Sequence, residues 1–173
     1  MTDLPAAIKP MLATLVAQPF DSARHIFEVK WDGVRALAFI ERGQLRLQGR
    51  NLRVITHQYP ELRCLLDQVQ GDGIVLDGEI ISLGGLGHPD FGRLQERLKL
   101  EDTAAIALAA KRQPVHYQVF DLLYLDGQSV MEEPLWRRKN LLHHLLTPSE
   151  RAQATDFVER EGVRYLGQSV LFV

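Results

Sequence analysis

Residues 26–50, IFEVKWDGVRALAFIERGQLRLQGR, decide the fold class of this chain. Positions 25–31 and 34–40 are rich in strand-forming side chains and are separated by Asp32-Gly33. Glu41-Arg42-Gly43-Gln44 supplies a turn, and Leu45-Arg46-Leu47-Gln48 then alternates apolar and polar residues. The spacing predicts a β-meander over 26–50. Further along, positions 74–82 (IVLDGEIIS) read as a strand broken at Asp77-Gly78, and 115–125 as another, closed by the turn Asp126-Gly127. Helical spacing of apolar residues covers 57–69, with Pro60 near its first turn, and recurs after Asp90, which can cap a helix starting at Phe91. A helix is also expected at 103–111. Another runs from Pro134 through 146, with Leu135, Leu141, Leu142 and Leu145 on one side. Positions 84–89 read as a loop, and 155–173 mix a short strand at 156–159 with an apolar end. The predicted fold class is α+β, with mostly antiparallel sheets flanked by helices.

Composition narrows the classes. Of 173 residues, 46% are hydrophobic and 24% charged, the balance of an ordinary globular chain. One cysteine, Cys64, excludes an internal disulfide. It sits among Leu62, Leu65, Leu66 and Val69, where a buried core thiol is favoured over a reactive one. No basic-then-apolar leader opens the sequence and no apolar run reaches the roughly 18 residues of a membrane span, so a cytoplasmic protein without membrane contact is expected. The net charge of −2 does not advertise a nucleic-acid binder, yet positions 21–63 hold eight Lys/Arg against five acids. That local excess fits a patch facing a phosphate backbone, and equally a solvated strand face. The six histidines show no metal-ligand spacing.

Three strings carry chemistry. Glu28-Val29-Lys30-Trp31-Asp32-Gly33-Val34-Arg35 puts a lysine at the end of an apolar strand, before a glycine turn and an arginine. Partial burial and nearby positive charge would lower the lysine's pKa and make its amine a nucleophile, although a strand-end lysine is commonly an ordinary surface residue. Gly33 would let the backbone turn tightly, and Arg35 could offer a fork of donors to an oxygen-rich ligand. In Val75-Leu76-Asp77-Gly78-Glu79-Ile80-Ile81, Asp77 and Glu79 share one strand face, where they either meet a ribose hydroxyl or a magnesium ion, or lie on an exposed face with a bulge at Gly78. In the third string, 115–127, Phe120 either stacks on a base or packs in the core, while Asp121 anchors the turn.

Together these strings resemble the covalent nucleotidyltransferase superfamily, and within it the adenylation domain of ATP-dependent DNA ligases, closest to bacterial end-joining types. The resemblance begins at Lys9-Pro10-Met11-Leu12-Ala13 and continues through the Lys30-Trp31-Asp32-Gly33-Val34-Arg35 motif, Leu76-Asp77-Gly78-Glu79-Ile80 and Phe120-Asp121-Leu122-Leu123-Tyr124-Leu125. Pro89-Asp90-Phe91 with Leu94, Gln95, Arg97 and Leu98 fits the linking helix. The match covers about residues 9–146. It implies an incomplete covalent nucleotidyltransferase (ATP-grasp-like) adenylation domain over 1–173, without an oligonucleotide-binding domain.

The resemblance also implies roles. Lys30 would attack the α-phosphate of ATP, release pyrophosphate and hold AMP as a phosphoramidate. Glu28 would lie beside adenine, Arg35 would contact ribose or phosphate, and Arg50 would match the arginine of the next motif. Glu79 would bind ribose or position metal, and Phe120 would stack on adenine. ATP and magnesium (or manganese) are the implied cofactors, and nicked double-stranded DNA in repair or replication the implied substrate. Two departures stand against the pattern. Gly49 and Leu52 flank Arg50-Asn51 where the family has Ser and Gly. Glu161-Gly162-Val163 looks like the later Glu-Gly motif but is followed by Arg164-Tyr165, so it reads as chance, and no lysine follows Lys139. The later motifs are expected from a missing C-terminal region or a second chain, and activity of this chain alone is expected to be impaired. A dead nucleotide- or DNA-binding remnant is the alternative from another class; an RNA ligase or capping guanylyltransferase is the alternative enzyme.

Overall fold

The computed structural model describes residues 3–85 and 87–169, the last three by backbone alone. The expected loop residue Leu86 and the apolar end at 170–173 lie outside the described residues. The strands are β1 (Ser22–Glu28), β2 (Val34–Glu41), β3 (Gln44–Gly49), β4 (Ile74–Ser82), β5 (Val115–Leu125), β6 (Gln128–Ser129), β7 (Ala152–Ala154) and β8 (Phe157–Arg160). The helices are α1 (Leu65–Gln68), α2 (Phe91–Leu98), α3 (Thr103–Arg112), α4 (Leu135–Leu145) and α5 (Gly162–Ser169).

The chain divides into two units. One holds residues 1–10 and 31–154, the other residues 11–30 and 155–173. In the first, the sheet order is β3-β2-β4-β5-β6, all antiparallel, with β7 added parallel to β5. Alternation along β2 and β4 separates two faces. Ala36, Ala38, Ile40, Leu76 and Ile80 point into the main core, joined by Leu62, Leu65, Leu94, Leu142 and Leu145 from the helical side. Leu37, Phe39 and Val75 point the other way, against Leu123, Leu4 and Ile8. Tyr117, buried among the main core, donates its hydroxyl proton to the Ala36 carbonyl at 2.7 Å, which satisfies the one polar atom it carries inward.

In the second unit, β1 pairs antiparallel with β8, Phe27 opposite Val158 and Glu28 opposite Phe157. Here the expected meander over 26–50 fails. β2 and β3 form the hairpin, but β1 joins a partner some 130 positions away in sequence rather than its neighbour, a long-range pairing that local alternation does not encode. Helix α5 begins where Gly162 packs against the Phe20 carbonyl and the Phe27 ring with no room for a Cβ. The Val163 amide donates to Asp21 at 2.9 Å.

Candidate functional site

Glycines at two close approaches position the polar part of the sheet. A Cβ on Gly33 would meet the Ile80 carbonyl, so the residue is needed for proximity to β4 rather than for the tight turn expected of it; its φ is not in the left-handed region. A Cβ on Gly78 would lie 2.6 Å from both the Gln118 carbonyl oxygen and the Tyr117 ring. β4 is therefore continuous through Asp77-Gly78, against the expected break. The irregularity falls on β5 instead: Asp77 faces Asp121 while Gly78 faces Val119, leaving Phe120 as the extra bulged residue.

The ladder sets Arg35 opposite Glu79, Glu79 opposite Gln118, and Gln118 opposite Gln153. Four polar residues thus cross the sheet in one row. Arg35 grips Asp77 with Nε and Nη2, each 2.6 Å from a carboxylate oxygen, and its guanidinium carbon lies 4.6 Å from the centre of the Phe120 ring. Burial works against the Arg35 cation, but the hydrogen bond and charge of Asp77 outweigh it and its pKa is raised. Burial is also the largest influence on Asp77, which is 3% exposed, and raises its pKa against the opposing pull of Arg35. Asp121 meets Arg138 of α4 through two bonds of 2.8 Å. Arg138 in turn donates to the carbonyls of Met131 and Glu133, so Asp121 anchors that segment through Arg138.

Of the expected site residues, Arg35, Glu79 and Phe120 come together on this face. Arg50 is exposed and follows the end of β3, one position beyond the Ala36–Gly49 pair. Lys30 and Glu28 belong to the second unit. Lys30 lies two residues past β1 and is exposed rather than partly buried, so burial is not what would activate it. No group of three or more His, Cys, Asp or Glu side chains able to hold a metal occurs among the described residues. Asp77 and Asp121, paired with arginines, are occupied. Sequence reading missed the pairing of Asp77 with Arg35 and the row's continuation to Gln118 and Gln153. Register alone sets Arg35 opposite Glu79, whereas its bonds run diagonally to Asp77, two positions along β4.

A sequence model described as "ATP dependent DNA ligase domain" matches residues 10–166. The chain belongs to the ATP-dependent DNA ligase domain family. The domain is 32% identical over 158 residues to the SPbeta prophage-derived DNA ligase-like protein LigB of Bacillus subtilis, covering 91% of this chain and 54% of that protein. It is 35% identical to the multifunctional non-homologous end joining protein LigD of Mycobacterium bovis, covering 85% of this chain and 19% of the relative. The domain thus spans about half of the first relative and a fifth of the second. Among solved structures, the ligase domain of Mycobacterium tuberculosis LigD superposes with a TM-score of 0.68 at 28% identity, covering 88% of this chain and 46% of that one. A mycobacterial DNA ligase D complexed with ATP and MES gives 0.64 at 28% identity, covering 99% and 50%. These likenesses agree with the expected α+β nucleotidyltransferase fold. The family match runs past Glu161-Gly162-Val163, so that string lies inside the matched region although the sequence alone favours chance.

Proposed function

We propose that this domain takes AMP from ATP onto Lys30, the first step of sealing nicked duplex DNA. The Lys30 amine attacks the α-phosphorus, the bond to the β-phosphate oxygen breaks, pyrophosphate leaves, and the amine gives up a proton to solvent as the phosphoramidate forms. The observation that carries the reading is the joining of Arg35, Glu79 and Phe120 on one sheet face in a chain matched by the ligase family from residue 10 to 166. Phe120 supplies a ring for the base, Glu79 a carboxylate for ribose or metal, and Arg35 keeps its Nη1 for a phosphate or ribose oxygen. Glu28 is assigned to the base and Arg50 to the nucleotide.

A divalent cation, magnesium or manganese, would neutralise the triphosphate charge when bound. Because no group of three or more His, Cys, Asp or Glu side chains able to hold a metal occurs among the described residues, Glu79 would give such an ion one carboxylate, and triphosphate oxygens and water would supply the rest. Exposed Arg53 and Arg63 are available to a DNA backbone, with binding that weakens as salt rises. A cytoplasmic site of action fits the absence, among the described residues, of a helix long and apolar enough to cross a membrane.

The test is incubation with α-labelled ATP and magnesium, followed by denaturation. Wild type is expected to retain label and Lys30→Ala to lose it. Label that survives Lys30→Ala, or none on wild type, overturns the reading. GTP supplied in place of ATP separates it from a capping-type enzyme.

A further inference from the structure

A cavity of about 300 Å³, at the lower end of ligand-site volumes, lies between β5 and residues 149–153, and none of Lys30, Arg35, Glu79 or Phe120 lines it. Arg151 lines it half-buried, and its guanidinium makes no ion pair or hydrogen bond among the described residues. A cation drawn out of water without a counter-charge is costly, so the position favours an anion. Ser149 Oγ accepts the amides of Arg151 and Ala152 at 3.0 and 3.1 Å, which leaves its own proton to donate. Gln118 is 5% exposed; its Oε1 accepts Gln153 Nε2 at 3.3 Å, and its Nε2 has no partner among the described residues. Turning both amides passes the free NH2 group to Gln153, so a donor remains in either assignment. The segment is held against β5 by the Tyr117 amide, which donates to the Arg151 carbonyl at 2.8 Å, and by His116 Nδ1, which donates to the Glu150 carbonyl at 2.5 Å. Among the described residues Glu150 is the one acid lining the cavity, and it is exposed.

We propose that Arg151, Ser149 and the Gln118–Gln153 amide pair form an anion site that takes a phosphate group, separate from the nucleotide site. A phosphate brings the negative charge that Arg151 lacks, and oxygens for donors that find no acceptor in the fold. The planar guanidinium can meet two of those oxygens at once, while the hydroxyl and the amide supply single bonds. A DNA backbone phosphodiester and a free inorganic phosphate share this chemistry, and they differ in how the site would respond to duplex DNA. Binding here requires nothing of the reaction at Lys30.

The test is a titration of inorganic phosphate into the full, isotope-labelled chain, read by NMR at the side-chain amide signals of Gln118 and Gln153. Both signals are expected to shift saturably, and Arg151→Gln to weaken phosphate by roughly tenfold or more. Because the Arg151 side chain bonds to nothing among the described residues, the variant should keep the wild-type urea midpoint. A continuous DNA duplex that moves the same signals and is displaced by phosphate identifies a backbone phosphate as the ligand. A response to inorganic phosphate alone identifies the small anion. No saturable shift, or an affinity that survives Arg151→Gln, overturns the inference. Loss of Lys30 labelling by ATP in Arg151→Gln would overturn it too, by placing the guanidinium within the nucleotide site. If wild type takes no label from ATP, the nucleotide reading falls while the phosphate titration still decides this one.

Discussion

At the scale of single residues, the site depends on groups whose surroundings leave little freedom. Gly78→Ala would drive a methyl into the Gln118 carbonyl and the Tyr117 ring, and backbone cannot yield as a flexible side chain does. A loss of about 2 kcal/mol or more is expected, read from urea unfolding; unchanged stability would refute the close approach. Arg35→Met would leave Asp77 buried without its partner, at a cost of about 3–5 kcal/mol near neutral pH. The pH dependence has a definite sign. A carboxyl whose folded pKa is raised contributes stability that is complete below its ordinary value of 3.8 and is lost as pH rises through the folded pKa. Removing the guanidinium removes what opposes burial, so the variant should lose most relative to wild type near neutral pH and least in acid. Equal losses in both conditions would mean that Asp77 is not the group responsible.

At the scale of elements, the helix expected over 57–69 is instead two 3-10 turns, Thr56–Gln58 and Pro60–Cys64, followed by α1. Tyr59 separates them at φ −132°, ψ 61°, because the residue before a proline is pushed out of the helical region. Arg97 of α2 holds this segment by donating to the Gln58 carbonyl at 2.8 Å and meeting Glu61 at 3.0 Å. Burial raises the Tyr59 phenol to about 12, and its hydroxyl finds no hydrogen-bond partner among the described residues. The neutral phenol favours the folded state below the ordinary value of 10.0, and this contribution disappears as pH rises through the folded value. Tyr59→Phe should therefore remove a late step from the alkaline absorbance titration and alter neutral-pH stability by less than about 1 kcal/mol. An unchanged titration would place the perturbed phenol elsewhere. The cap at Asp90 was legible beforehand, and its side chain accepts the Arg93 amide at 3.1 Å. Asp102 performs the same service for α3 at the Ala105 amide, 2.8 Å, so Asp102→Ala should lower the melting midpoint in step with about 1 kcal/mol. A melt indistinguishable from wild type would deny the cap any energetic role.

Over the whole molecule, the two units differ in how their backbone is protected. β2, β4 and β5 lie in a sheet with apolar residues on both faces, whereas β1 and β8 make a two-stranded pair of the kind that is marginal alone. Amide hydrogen exchange is expected to be slowest in β2, β4 and β5 and markedly faster in β1 and β8. Equal protection would show that the second unit shares the cooperative unfolding of the first. Added ATP should slow exchange at Glu79 and Phe120 if the proposed nucleotide site is occupied.

The local chemistry of the chain determined β2, β3, β4 and β5, the turns at Gly43 and Asp126-Gly127, and the lysine string at position 30, because alternation, turn residues and caps act over a few positions. Family membership was likewise legible, since the strings that carry it are contiguous. Tertiary structure alone decided that β1 pairs with β8, that Gly78 serves contact with β5 rather than a break, that Asp77 holds Arg35, and that Gln118 and Gln153 end the polar row. The physical reason is register. Which side chains face one another across strands follows from bulges and pairings between distant segments, and a shift of one residue would turn Phe120 and Glu79 to opposite faces.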